Sequence, residues 1–77
     1  ELDAMENAVV FPNPSSQLFE IKASSDFQYE IFDQTGRRVE SGRGKEGSLV
    51  GRKLHSGPHV LRLQIGRASK AIKIVKH

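Results

Sequence analysis

Cysteine is absent from this chain, which excludes a disulfide framework and a thiolate metal site. Tryptophan is absent too, and a single tyrosine accompanies four phenylalanines. Small β domains that hold glycans or single-stranded nucleic acid stack them on exposed aromatic platforms, and so few rings argue against both ligands. No apolar run approaches the ~20 residues that cross a bilayer, and no signal-peptide pattern opens the chain. Integral membrane insertion is therefore not expected. Nor do apolar residues recur at i, i+3, i+4 and i+7 over the length of a helix anywhere in the chain.

What is present is a short chain of 77 residues, enough for one small domain that buries only about 60% of its unfolded surface. It opens with Glu1 rather than Met and reads as a piece of a longer protein. Net charge is +3, unevenly spread. Residues 1–38 hold seven acids and three bases, or −4, and residues 39–77 hold two acids and nine bases, or +7. A basic half of this kind suits nucleic acid, acidic glycans or an acidic protein groove, or is simply a solvated face of Lys and Arg. Basic residues without base-stacking rings give only salt-sensitive binding, so no nucleic-acid partner is expected.

The apolar residues alternate. Phe19, Ile21 and Ala23 are interleaved with Glu20 and Lys22, and Phe27, Tyr29 and Ile31 with Gln28 and Glu30. Leu61, Leu63 and Ile65 alternate with Arg62 and Gln64, and Ile72 and Ile74 flank Lys73. Period two with one apolar face is the mark of half-buried strands. Turn residues punctuate these runs. Pro12-Asn13-Pro14 redirects the chain, Ala23–Asp26 suits a hairpin loop, and Asp33-Gln34-Thr35-Gly36 suits a tight turn with Gly36 at positive φ. Gly42–Gly47 reads as a mobile basic hairpin, His55–Pro58 as a further turn, and Gly66–Ser69 as the last one.

The spacing predicts strands over 8–11, 17–23, 27–33, 37–42, 47–51, 58–65 and 70–76. Seven short strands without a helix indicate an all-β, Ig-like antiparallel β-sandwich. Residues 1–7, acidic and without a β pattern, read as a linker remnant, and 8–77 as the domain. Phe19, Ile21, Tyr29, Ile31, Leu61, Leu63, Ile72 and Ile74 are the expected core. Phe11 is expected to cover one end, and Phe32, which breaks the alternation, to be exposed.

Catalysis needs a nucleophile, a base and an orienting group brought together. His55, His59 and His77 have no carboxylate at a recognisable spacing. His55 and His59 are four apart, but Gly57-Pro58 between them rules out the helix that would align two zinc ligands. Asp26, Asp33 and Glu40 lack the dense oxygen spacing of a calcium loop. Asp33 is expected to accept hydrogen bonds from N–H groups of its own turn. Gly42-Arg43-Gly44-Lys45 lacks the spacing and following helix of a phosphate loop. No catalytic, cofactor or metal site emerges, and the chain reads as a non-enzyme.

Four ordered segments remain: Phe11-Pro12-Asn13-Pro14, Ile31-Phe32-Asp33-Gln34-Thr35-Gly36-Arg37, Leu54-His55-Ser56-Gly57-Pro58-His59, and a closing strand Lys70–Lys76 rich in Lys, Ile and Val. Together they resemble the C-terminal sorting domain (Por secretion tail) of proteins exported by the type IX secretion system of Bacteroidetes. The resemblance spans residues 9–77. Pro12, Asn13, Pro14, Asp33, Gly36, Arg37 and Gly57 occupy its motif positions. Gln17 stands where that family often has Gly, and Pro58-His59 replaces its usual apolar–aromatic step.

The resemblance implies a secretion signal for a larger cargo, recognised while folded by an outer-membrane translocon and its shuttle protein. A sortase-like peptidase, acting on the parent, then usually removes it. The location implied is the periplasm in transit, then the cell surface or the medium. Lys70, Lys73, Ile74, Val75 and Lys76 are the candidate recognition residues, with Lys73 and Lys76 projecting as exposed charge. An extracellular adhesion module that binds glycan or protein is the competing reading.

Overall fold

The computed structural model describes residues 8–77, so the expected linker remnant lies outside the described residues. Seven strands follow in order: β1 Val9–Phe11, β2 Phe19–Lys22, β3 Phe27–Phe32, β4 Arg38–Gly44, β5 Ser48–Val50, β6 Gly57–Ile65 and β7 Ala68–Lys76. They form two antiparallel sheets, β1-β2-β5 and β4-β3-β6-β7. The expected Ig-like all-β sandwich is the observed fold, and no helix occurs among the described residues.

Alternation decides which side chains meet between the sheets. Phe19, Ile21, Ile31, Leu61, Leu63 and Ile74 are fully buried, with Ala8, Ala23, Phe27, Val50 and Ile65 around them. Tyr29 and Ile72, expected in the core, are half-buried and pack against it. Burying side chains of this size contributes about 1.5–3 kcal/mol each.

Five local expectations are corrected. Ala23–Asp26 is not a hairpin loop, because β2 pairs with β1 and β5 while β3 pairs with β4 and β6. It carries the chain from one sheet to the other, so Phe19 and Ile21 face Ile31 across the core instead of lying beside it. The basic segment is not a mobile hairpin either: β4 runs to Gly44, and only Lys45–Gly47 turns. Gly44 has a packing reason to be glycine, since a Cβ there would lie 2.8 Å from Phe27 Cζ and 2.4 Å from Ser48 Oγ.

The expected turn at His55–Pro58 moves upstream, because β6 begins at Gly57. Pro58 is tolerated in that strand because it stands opposite Val75, whose backbone N–H and C=O point away from β6 to Asn13 and Ser15. Phe11 does not cover an end of the core; it is 41% exposed. Its strand places Val10 inward and therefore Val9 and Phe11 outward. Phe32, expected to be exposed, is half-buried.

Candidate recognition site at the motif end of the sandwich

The Pro12-Asn13-Pro14 segment leaves β1 and crosses to the outer edge of β7. There Asn13 Nδ2 donates to the Lys73 carbonyl at 2.9 Å, and Asn13 Oδ1 accepts from the Val75 N–H at 3.0 Å. Ser15 continues the pairing in parallel: its N–H donates to Val75 O at 3.0 Å, and its carbonyl accepts from His77 N–H at 2.8 Å. The side-chain amide thus imitates one more strand residue and protects part of an edge that would otherwise be open. The buried Ser15 hydroxyl closes its own loop, donating to Leu18 O at 2.6 Å and accepting from Gln17 N–H at 3.2 Å.

Lys76 is the centre of this end. It is only 6% exposed. Its ammonium donates to the carbonyls of Gln17, Gly51 at 2.5 Å and Arg52 at 3.4 Å. One terminal side chain therefore ties β7 to the loop before β2 and the loop after β5. The expectation that Lys76 projects as exposed charge is corrected, and the reason is parity. Ile72, Ile74 and Lys76 are spaced by two and must share the inward face. Lys70 shares it too, half-buried, and donates to Ala8 O at 3.2 Å. Of the candidate recognition residues, Ile74 is fully buried, Val75 is half-buried on the outward face, and Lys73 is outward and exposed.

The β3–β4 turn forms as its composition requires. Asp33 Oδ1 accepts from Thr35 N–H at 2.9 Å, Thr35 Oγ1 at 2.7 Å and Arg37 N–H at 3.0 Å. Gly36, at φ 86°, donates its N–H to Asp33 O at 3.0 Å. The Thr35 hydroxyl and then the Arg37 and Thr35 amides hold the Asp33 carboxyl below its ordinary range. Arg37 adds an exposed contact at 3.6 Å from its Nε. Gly57, at φ 125°, faces this turn, and a Cβ there would lie 3.2 Å from Gln34 Nε2.

Glu40 braces the same end from β4. Its Oε2 accepts from the Tyr29 hydroxyl at 2.8 Å and from Gly51 N–H at 3.0 Å. Desolvation, together with this carboxylate, pushes the Tyr29 phenol up to about 12.

A groove of about 570 Å³ lies between the β3–β4 turn and the 51–56 loop, walled in part by Asp33, Val39, Lys53, Leu54, His55 and His59. The Asp33 oxygen that faces its turn is saturated and its carboxyl is more acidic than usual, the wrong direction for a general base near neutral pH. His59 is buried, its Nδ1 3.1 Å from Gly57 O.

All four motifs thus meet at one end. Asn13 and Ser15 touch Lys73, Val75 and His77; the Asp33–Gly36 turn faces Gly57; and Gly57 is the register partner of Lys76. The chain matches the family described as secretion system C-terminal sorting domain over residues 9–77. It belongs to that family. No curated protein matches the chain. As a sorting domain of a secretion system it is a C-terminal signal that acts with the secretion machinery as part of a larger protein, and the family is not an enzyme family. No helix among the described residues is long and apolar enough to cross a membrane.

Some of this site escaped the sequence reading. Lys76 facing inward was readable from parity alone. The backbone pairing of Ser15 with Val75 and His77 and the Glu40–Gly51 bond carried no local signal, because those partners are remote in sequence.

Proposed function

We propose that this domain carries a larger cargo across the outer membrane through the type IX secretion system, and that a sortase-like peptidase then removes it. In this reading the translocon and its shuttle protein recognise the folded domain in the periplasm, and the cargo ends at the cell surface or in the medium.

The observation that carries the proposal is the bonding of Asn13 and Ser15 to the last strand, 60 residues away in the case of Asn13 and Lys73. A signal assembled from both ends of the chain exists only in the folded state, which suits a machine that must accept completed domains. The arrangement also leaves the signal accessible. Ala8 lies beside Lys70, six residues up β7 from Lys76, or about 20 Å at 3.3 Å per residue. A cargo joined ahead of Ala8 would stand at the opposite end from the motifs.

Among the candidate recognition residues, Lys73 and Val75 are then the ones a partner can touch. Lys70, Ile74 and Lys76 act by holding the strand in place. Fusing the chain to a periplasmic reporter in a bacterium with a type IX system tests the proposal. Reporter on the surface or in the medium is the expected result, and retention in the periplasm overturns it.

A further inference from the structure

The outer face of the four-stranded sheet has a composition that neither folding nor the motif contacts require. Its outward positions form three register rows across β4-β3-β6-β7: Arg43, Gln28, Gln64 and Ser69; Ser41, Glu30, Arg62 and Ala71; Arg38, Phe32, Val60 and Lys73. Arg38, Arg43, Arg62 and Lys73 set against Glu30 alone give a net charge of +3 on this face. The one carboxylate is already engaged, 3.1 Å from Arg38 and 4.0 Å from Arg62. Arg43 and Lys73 have no ion-pair partner among the described residues. Beside Lys73 lies an apolar spot, where Val60 is 41% exposed and Phe32 and Val75 are half-buried.

The outer face of the other sheet differs. Its outward positions are Val9, Phe11, Glu20, Lys22 and Leu49, where one acid balances one base. Charge is therefore segregated to one side of the sandwich.

We infer that the outer face of β4-β3-β6-β7 docks on a protein surface of the secretion machinery that carries carboxylates around an apolar spot. This rests on the function proposed above and names the chemistry of its partner. Spacing favours a protein over a compact polyanion. Arg38 and Lys73 lie in one row three strands apart, roughly 14 Å at 4.8 Å per strand, beyond the span of one phosphate. The Val60 spot between them suits an apolar side chain, and a distributed set of acids meets the cations. The uncompensated charge also steers encounter from a distance.

The test uses the reporter fusion. Arg43→Glu with Lys73→Glu turns the face from +3 to −1 without placing a new acid in register with Glu30. Surface-delivered reporter is expected to fall by about tenfold or more, while Arg43→Gln with Lys73→Gln gives an intermediate loss. Lys22→Glu, on the opposite sheet, is expected to export as the parent does. Circular dichroism and thermal melting of each purified chain are expected to match the parent, so that a loss of export reads docking and not folding. Unchanged export of the folded double Glu variant would overturn this inference and leave the proposed function standing. Failure of the parent fusion would overturn the proposed function itself. Tight binding of single-stranded DNA by the parent chain at physiological salt, abolished by the Glu pair, would overturn the choice of a protein partner.

Discussion

The two ends of the sandwich are built in opposite ways. At the Ala8 end, Lys45–Gly47 carries the chain from the four-stranded sheet to the three-stranded one and Gly66–Arg67 closes the β6–β7 hairpin, and the side-chain bonds of both turns are local. Ser48 caps the first through Lys45 N–H at 2.9 Å and Lys45 O at 2.7 Å. At the Lys76 end the decisive bonds join remote segments: Asn13 to Lys73, Ser15 to Val75, Lys76 to Gln17 and Gly51, and Glu40 to Gly51. Bonds of that kind need only the residues of the turn and its flanks. The motif end closes only when β7 is in place and both sheets are packed.

The largest expected effect comes from breaking the remote end at its centre. Lys76→Glu would aim a buried carboxylate at three carbonyl oxygens that now accept from an ammonium. A loss of about 3–5 kcal/mol, as for breaking a buried charged network, is a large share of the stability of a small domain. Urea unfolding should show it directly. Lys73→Glu in the same strand should move the midpoint little, because its head is in water. Equal losses for the two would contradict the contrast drawn between them.

The Ala8 end is probed by Gly44→Ala. The new Cβ would meet Phe27 Cζ at 2.8 Å and Ser48 at its hydroxyl and Cβ. Overpacking of this kind costs about 1–3 kcal/mol, read as a lower denaturant midpoint. The damage should stay local. Amide exchange is expected to quicken around Gly44–Ser48 and to leave the Asn13–Val75 bonds protected. Asn13→Ala should do the reverse at slightly smaller cost, about 1–2 kcal/mol for two bonds to the edge of β7. Its exchange signature is a newly exposed Val75 amide. If the two variants loosened the same amides, the ends would not be separable.

This contrast also explains what could be read from the chain before its fold. Strands rest on period-two alternation and turn residues, both local, and all seven were expected with boundaries close to those observed. The motif order was readable as well, and so was the Asp33 turn, whose donors lie within four residues. Pairing was not local. Ala23–Asp26 resembled a hairpin loop because alternation cannot distinguish strands side by side from strands face to face. Phe11 does not cover the end expected of it, because its parity with Val10 turns it outward. Lys76 was expected in solvent because its charge outweighed a parity already set by Ile72 and Ile74. The convergence of Asn13, Gly57 and Lys76 is a property of topology, and nothing in their separate neighbourhoods encodes it.

The smallest effects are those of pH, and they divide between the elements of the motif end itself. Tyr29 has its phenol raised from its ordinary 10.0 to about 12, chiefly by burial and by the Glu40 bond. Folding therefore favours the protonated phenol. Its contribution is fully present below pH 10 and is lost as pH rises through about 12. Tyr29→Phe should flatten that part of the alkaline limb of a melting profile.

Asp33 has the opposite sign. Its folded carboxyl lies below the ordinary 3.8 because Thr35 and Arg37 bond to the ionised form. Its contribution is present above the unfolded value and is lost as pH falls through the folded one. Asp33→Asn keeps one acceptor for the turn and removes the titration, so the acid limb of its profile should be shallower than that of the parent. The turn is exposed and the shift is local, so the amides of Thr35 and Arg37 should respond to acid while those of Val75 and His77 stay unmoved. A shared acid transition at all four amides would mean that the β3–β4 turn and the closing strand titrate as one unit, and would place Asp33 inside the network that Lys76 holds together.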